Sequence, residues 1–183
     1  MVLEMKKIAI AFAFVSAAMA AQAQMYGEIG YTTATAKQNI DGLSTQASPT
    51  ALRGIVGYEQ NPNLALEGLV AFGLHDATIK VNGVSGPNVK FKINNVVGIY
   101  LKPKAQLNEQ VELFGRVGFV SAKGTTSAPG LGSESNSENS FSYGAGLSYA
   151  INPSTSLKVD YMQYLNEDGF KVNGLTFGLG FKF

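Results

Sequence analysis

The stretch Gly174–Phe183, with the sequence GLTFGLGFKF, decides the fold. Its large apolar side chains occupy every second position, and Gly, Thr or Lys stands between them. These apolar residues are Leu175, Phe177, Leu179, Phe181 and Phe183. Strict period-two alternation is typical of a β-strand with one apolar and one polar face. Exposed to water, such a face would promote aggregation, so we expect it to contact hydrocarbon in a closed membrane barrel.

The same alternation recurs along the chain, and turn residues such as Asn61-Pro62 and Asn152-Pro153 separate the repeats. The other predicted strands are about 25–36, 51–60, 64–74, 91–102, 109–123, 140–151 and 156–165. Polar stretches are predicted as long loops near 37–50 and 124–139, the last as the most mobile, and as a loop or protruding hairpin over 75–90. Short turns alternate with these loops, which places the turns in the periplasm and the loops outside. We therefore predict an all-β fold, an eight-stranded antiparallel transmembrane β-barrel in up-and-down meander order.

The N-terminal residues have the pattern of a secretion signal. Lys6 and Lys7 precede an apolar run that begins at Ile8, and small residues follow as far as Ala23. This run is shorter than the roughly 20 residues that a membrane-spanning helix needs. We predict a signal peptide over residues 1–23, with the cleavage site placed within about three residues, and a barrel over 24–183. The expected location is the bacterial outer membrane.

The composition excludes several classes of protein. The chain of 183 residues carries 14 basic and 13 acidic residues, which argues against nucleic-acid binding. It has no Cys, so disulfides and thiolate metal sites are excluded. The single His, His75, lies beside Asp76, and no Ser stands two residues from it. We therefore predict no catalytic site, no metal and no cofactor.

Most charged residues of the predicted strands lie on the face opposite the apolar one. Eight strands enclose a lumen that side chains can fill, and an isolated buried charge is costly, so these charges are expected to pair. The predicted luminal ion-pair network consists of Glu28, Arg53, Glu67, Glu112, Arg116, Lys158 and Asp160. Glu59 and Lys182 are expected to lie in water at the barrel end. The lumen is thus predicted to be plugged.

Aromatic residues of the apolar faces collect near the strand ends. The predicted periplasmic rim contains Tyr58, Tyr149 and Phe183, and the outer rim contains Tyr31, Phe72, Phe119 and Phe141. Two aromatic bands around an aliphatic waist are typical of membrane-interface girdles. The alternative explanation is that strands in general favour aromatic residues. We favour the girdle because one choice of face per strand produces both bands.

Taken together, these features resemble the eight-stranded outer-membrane barrels of the OmpA-transmembrane-domain and OmpX type. The resemblance covers residues 24–183 and leaves no segment for a peptidoglycan-binding domain. Its terminal strand also resembles the assembly signal of outer-membrane proteins, which implies recognition by the barrel-assembly machinery. The resemblance further implies a monomer surrounded by outer-membrane lipid and lipopolysaccharide.

Members of this family serve as structural proteins, adhesins, host-interaction proteins or narrow pores. We predict a structural or adhesin-like surface role, with a host or surface ligand bound by the three long loops. A narrow, mostly closed solute pore is the alternative. Less favoured are a lipid A-modifying enzyme and a soluble lipocalin-like lipid binder, in which the inside and outside of the barrel would exchange.

Overall fold

A computed structural model describes residues 24–40, 43–130, 132–167 and 169–183, and within these ranges the chain is built of β-strands. The strands are β1 (Met25–Ile40), β2 (Leu43–Ala47), β3 (Thr50–Asn61), β4 (Leu64–His75), β5 (Ala77–Val81), β6 (Val84–Gln106), β7 (Val111–Ala128), β8 (Gly132–Asn152), β9 (Thr155–Glu167) and β10 (Phe170–Lys182). The predicted signal peptide, residues 1–23, lies outside the described residues and stays a prediction. Among the described residues there is no helical segment with the length and apolar character that a membrane-spanning helix needs.

Eight of the strands close into an antiparallel ring. Starting at β1, the order around the ring is β3, β4, β6, β7, β8, β9 and β10, and β10 pairs back with β1. The closing ladder runs from Tyr26↔Lys182 to Gln38↔Phe170. The predicted fold class, an eight-stranded antiparallel barrel of up-and-down order, is therefore confirmed.

Burial alternates along each strand of the ring, as the period of a strand requires. In β10 the side chain of Thr176 is 1% exposed, whereas its neighbours Leu175 and Phe177 are 40% and 61% exposed. Apolar side chains thus form the outer surface, and the lumen contains the charged side chains together with small ones and buried apolar ones such as Leu69 and Met162. This arrangement is the one that a hydrocarbon surrounding demands.

On one side, the strands continue beyond the ring into an extension. It comprises β2 and β5 together with parts of six strands of the ring. Three of these contribute their ends: β1 from Ala36, β7 from Ser121 and β9 from Leu165 onward. The other three contribute their starts: β6 as far as Ile93, β8 as far as Asn139 and β10 as far as Val172. β2 pairs with β1 and β5, and β5 pairs with β6. The β7–β8 ladder continues to Ala128↔Gly132. Paired main chains therefore give the extension a defined shape.

The alternative given for 75–90, a protruding hairpin, is present as β5 and the start of β6. The long loops predicted near 37–50 and 124–139 are wrong, because most of the described residues in them belong to strands of the extension. Their Ser, Thr, Asn and Gly residues lie on both faces, so no alternation signalled the strands. The hydrogen bonds of a β-ladder join main-chain N–H and C=O groups. Polar residues and glycine carry these groups just as apolar residues do, so they can form strands without an apolar pattern. The turn between β5 and β6 consists of Asn82 and Gly83. Their φ angles are 49° and 82°, and hairpin turns with the sequence Asn-Gly require such positive values.

The extension does not close into a ring, because β8 and β9 separate within it. Their ladder ends at Tyr143↔Gln163, although β8 begins at Gly132. Beyond this point, hydrogen bonds of serine side chains connect the two strands in place of main-chain pairs. The Ser142 hydroxyl donates to the Gln163 carbonyl oxygen at 2.7 Å. The Asn166 amide donates to the Ser140 hydroxyl oxygen at 3.4 Å. We call this gap the β8–β9 seam.

Close approach of strands requires glycine at Gly118, which faces the lumen from β7. A Cβ there would lie 2.0 Å from the carbonyl oxygen of Ile99, a main-chain atom of the neighbouring strand. Gly54 lies on the lipid-facing side of β3, and a Cβ there would meet only a Val70 methyl group, at 3.6 Å. The two glycines therefore differ in how much space surrounds them.

We expect Gly118→Val to lower the free energy of unfolding by about 3 kcal/mol, or to prevent folding, because the new side chain forces two strands apart. Gly54→Val should stay within about 0.5 kcal/mol of the parent, since its side chain points into open space. Urea unfolding in lipid vesicles, read from the gel mobilities of the folded and unfolded forms, measures both. Equal midpoints for the two variants would contradict the described packing.

Candidate functional site

The centre of the lumen is organised around the guanidinium group of Arg116, whose side chain is 0% exposed. Its Nε donates to Glu67 Oε2 at 2.5 Å, and its Nη2 donates to Glu28 Oε2 at 2.7 Å. Its Nη1 donates to Asp160 Oδ2 at 3.0 Å. One group on β7 thereby holds carboxylates from β1, β4 and β9, which the planar fork of arginine donors makes possible.

A second arginine completes the binding of Asp160. Arg53 on β3 donates two parallel hydrogen bonds to the Asp160 carboxylate, at 2.7 and 2.5 Å. Bidentate pairs of this kind are among the stronger hydrogen bonds in proteins. Arg53 Nη1 also donates to the Tyr164 hydroxyl oxygen at 3.2 Å. Asp160 thus has a bond to each of the two buried arginines.

Lysines pair with the remaining carboxylate oxygens towards the opposite end from the extension. Lys158 Nζ donates to Glu28 Oε1. Lys102 Nζ lies 3.4 Å from Glu28 Oε1, 3.6 Å from Glu67 Oε1 and 3.8 Å from Glu112 Oε1. The Tyr26 hydroxyl donates to Glu67 Oε1 at 2.6 Å. Each buried carboxylate therefore faces several donors.

The structure brings together all seven residues that the sequence places in the luminal network. Sequence reasoning missed two members, Lys102 and Lys104. Lys102 lies two residues after Tyr100, whose side chain is buried in the lumen, so alternation along the predicted strand 91–102 already placed Lys102 on the inner face. Lys104 Nζ lies 2.6 Å from Glu59 Oε1, and Glu59 is therefore paired, contrary to its expected place in water.

The full set contains equal numbers of positive and negative side chains. Its carboxylates are Glu28, Glu59, Glu67, Glu112 and Asp160, and its cations are Arg53, Lys102, Lys104, Arg116 and Lys158. An aromatic ring adds contacts to these cations. The centre of the Phe114 ring lies 4.5 Å from Lys102 Nζ and 4.6 Å from the Arg116 guanidinium carbon. Charge balance allows so many ions to be buried in one barrel.

The network fills the barrel between two cavities. The cavity on the extension side has a volume of about 370 Å³ and is bordered by Ala34, Ala51 and Val96. The cavity at the other end has a volume of about 360 Å³ and is bordered by Lys102 and Glu112. One cavity therefore has mainly apolar walls, and the other opens onto the charged side of the network.

The predicted girdle residues all lie on the outer surface of the barrel. Their exposed fractions range from 41% to 67% in the set Tyr31, Tyr58, Phe72, Phe119, Phe141, Tyr149 and Phe183. Phe119 and Phe141 lie opposite each other in the β7–β8 ladder, with ring centres 5.7 Å apart. The predicted assembly residues Leu175, Phe177, Leu179 and Phe181 share the outer face, and the Phe183 amide donates to the Met25 carbonyl oxygen at 3.2 Å.

His75 and Asp76 lie at the start of the extension and make only local contacts. His75 Nδ1 is 3.3 Å from the Thr50 hydroxyl oxygen, and Lys90 Nζ is 3.6 Å from an Asp76 carboxylate oxygen. A hydrogen bond from its own main chain, together with the charge of Lys90, lowers the pKa of the Asp76 carboxyl. Across the residues that the structure describes, no group of three or more His, Asp or Glu is placed to hold a metal ion.

The extension carries charges of opposite sign on its two faces. Six exposed lysines lie on its outward face, and we call them the lysine belt: Lys37, Lys80, Lys90, Lys92, Lys123 and Lys171. Three glutamates border the cavity on the inward side: Glu134, Glu138 and Glu167. Sequence reasoning missed this separation, because it requires the strand register of segments that had been predicted as loops.

Comparison with known proteins identifies relatives of the whole barrel. The family model described as outer membrane protein beta-barrel domain matches residues 8–183. The attachment invasion locus protein of Yersinia pseudotuberculosis is 29% identical over 155 residues, which is 85% of this chain and 82% of that protein.

Solved structures with the same fold include the following two. Ail of Yersinia pestis, the attachment invasion locus protein, is 24% identical with a TM-score of 0.59, covering 89% of this chain and 100% of that one. Neisserial surface protein A is 16% identical with a TM-score of 0.67, covering 87% and 97%. Ail of Yersinia pestis has also been solved in complex with the heparin analogue sucrose octasulfate.

We expect Arg116→Met to lower the free energy of unfolding by about 3–5 kcal/mol, because it leaves three buried carboxylates without their shared cation. Lys182→Met is the matched control, since Lys182 is exposed at the barrel rim, and should change stability by less than about 0.5 kcal/mol. Urea unfolding in lipid vesicles measures both variants. Unchanged stability of Arg116→Met, with no gain in planar-bilayer conductance, would show that the network neither supports nor plugs the barrel.

Proposed function

Because the chain belongs to the outer membrane protein beta-barrel domain family and lies in the bacterial outer membrane, we propose that it is a surface-interaction protein that binds anionic glycans. The observation that carries this proposal is the lysine belt on the outward face of the extension. Orientation follows from the chain's pattern of short turns at one barrel end and long connections at the other, which puts the extension outside the cell.

The belt offers a regular array of positive charge. Strand register places Lys171 opposite Lys37, Lys37 opposite Gln46, and Gln46 opposite Lys80. Neighbouring strands are about 4.8 Å apart, so this row spans about 14 Å across four strands. Sulfate and phosphate groups repeat at comparable intervals along anionic glycans, and several can therefore contact the row at once.

The charge of the belt is little compensated by its own surroundings. Among described residues, the ion pair formed by belt lysines is the exposed contact between Lys90 and Asp76. An exposed pair of this kind contributes little, so most of the belt is available to a ligand. At physiological salt the screening length is about 8 Å, and lysines on adjacent strands therefore act together on one anionic chain.

The paired strands of the extension favour binding without a large loss of conformational freedom. A ligand that orders a mobile loop must offset that ordering, whereas lysines on a hydrogen-bonded sheet are already positioned. An adhesin-like role agrees with the attachment invasion locus protein of Yersinia pseudotuberculosis among the relatives. The complex of Yersinia pestis Ail with sucrose octasulfate makes that polyanion a suitable first probe for this chain.

Several finer features belong to the same proposal. We infer that the barrel is a monomer, that lipopolysaccharide surrounds its outer rim, and that the assembly machinery recognises the outer face of β10. The chain performs no catalysis in this proposal. The solute-pore alternative receives less support, because the ion-pair network occupies the lumen between the two cavities.

We expect the triple variant Lys37→Gln, Lys80→Gln, Lys171→Gln to bind sucrose octasulfate and heparin about tenfold more weakly, the equivalent of roughly 1.4 kcal/mol. The loss should shrink as salt is raised, because screening weakens the interaction in the parent as well. Isothermal titration in lipid nanodiscs measures the affinity. Lipopolysaccharide added as a competitor distinguishes a host glycan from a glycan of the cell's own membrane.

Lys182→Gln serves as the control, because it removes one positive charge at the opposite end of the barrel. It should bind the polyanions as the parent does. If the triple variant kept full affinity, or if Lys182→Gln lost as much per charge, the lysine belt would not be the binding surface.

A further inference from the structure

We propose that the cavity on the extension side of the ion-pair network binds a small organic cation, with a compact apolar body held in the cavity and an amine or quaternary ammonium head at its mouth. This site is distinct from the lysine belt, because it lies on the inward face of the same strands. Its ligand would carry a charge opposite to that of the glycans proposed above.

The walls of the cavity are mainly apolar and come from most strands around the barrel. Small side chains make the space, and larger ones surround it: Ala34, Ala51, Ala71, Phe91, Val96 and Phe170. Several of these residues are nearly fully buried, including Ala34 at 2% and Ala51 at 3% exposure. The volume of about 370 Å³ lies within the range of about 300–1,000 Å³ found for ligand sites.

Hydrogen-bonded side chains form the floor of the cavity, and among the described residues there the one cation, Arg53, is paired. The Thr32 and Thr176 hydroxyl groups are joined by a hydrogen bond of 2.8 Å. The Tyr164 hydroxyl accepts from Arg53, whose guanidinium is itself bound to Asp160. A ligand can therefore enter from the extension side and stop above the network, without meeting an exposed positive charge below it.

The mouth of the cavity is acidic. Register places Glu134 opposite Thr126, Glu138 opposite Ala122, and Glu167 opposite Phe170. No ion pair joins any of these glutamates to another of the residues that the structure describes. Lys123, which also borders the cavity, is exposed and shares its strand with Ala122 and Gly124, which lie on the other face. The head group of a bound molecule thus meets negative charge.

An aromatic pair lies in the wall beneath these glutamates. Phe91 and Phe170 have ring centres 6.4 Å apart in an edge-to-face arrangement. Aromatic faces attract cations, and this attraction adds to that of the carboxylates. The β8–β9 seam also reaches Glu167, which borders both the cavity and a groove on the outer surface. Apolar walls, acidic mouth and aromatic pair together favour a cation over a fatty acid.

Three probes of one shape separate the contribution of charge from that of the apolar body. They are 1-aminoadamantane, 1-adamantanol and adamantane-1-carboxylate, which are cationic, neutral and anionic at neutral pH. Titration into protein held in phosphatidylcholine nanodiscs, with empty nanodiscs subtracted, gives their relative affinities. We expect the cation to bind about fivefold more tightly than the alcohol, the equivalent of roughly 1 kcal/mol, and the carboxylate to bind most weakly.

Variants locate the site. Ala71→Phe fills the cavity and should abolish binding of all three probes, whereas Val70→Phe, which adds the same ring to the lipid-facing neighbour, should leave binding intact. The double variant Glu138→Gln, Glu167→Gln should bring the affinities for cation and alcohol to within twofold of each other. Glu109→Gln, at the opposite end of the barrel, should leave the preference unchanged. Ala51→Leu replaces Ala71→Phe if the latter does not show the gel mobility of a folded barrel.

Two results would overturn the proposal. One is binding by the cavity-filled variant equal to that of the parent, which would place the probes in lipid. The other is equal or tighter binding of the carboxylate, which would exclude a cation site. Neither result depends on whether the lysine belt binds glycans, because no probe carries more than one charge and the belt stays unaltered in every variant.

Discussion

The barrel depends on one guanidinium group that holds three carboxylates from three different strands. Charged side chains are unfavourable on an outer surface that contacts hydrocarbon, so the polar face of every strand points into a narrow lumen. There each ion must find a partner, because water is scarce and uncompensated charge is costly. Arg116 satisfies this condition by connecting β1, β4 and β9 to β7 through side chains, in addition to the ladders that connect neighbouring strands.

The extension applies the same two-faced strand to a different surrounding. Within the membrane the outward face is apolar and the inward face is charged. Above it the outward face carries lysines, and the inward face borders a mainly apolar cavity with glutamates at its mouth. The exchange occurs along continuous strands, without a domain boundary. A single barrel can thus offer an anionic partner its outer side and a cationic one its inner side.

The fold and the luminal network were predictable, because alternation in a membrane strand reports burial directly. Arg53 and Arg116 could be assigned to the lumen from their neighbours Leu52 and Val117 alone. The extension was not predictable in this way. Between Lys123 and Asn139, polar residues occupy both faces, and only the pairing of β7 with β8 reveals the strands. The separation of lysines from glutamates follows from register, which no local pattern encodes. Lys102 was missed although its parity was visible.

The closing ladder between β1 and β10 determines the order in which the barrel can form. It joins residues near opposite ends of the chain, from Tyr26↔Lys182 to Gln38↔Phe170, whereas the other ring ladders join strands much closer in sequence. Bringing such distant segments together carries the largest loss of chain entropy, so this step comes after the intervening hairpins have formed. Until then the growing sheet has two edge strands with unpaired main-chain groups, and its outer surface is apolar. The species most exposed to aggregation during folding is therefore a nearly complete, curved sheet in which only the β1–β10 ladder has not yet formed.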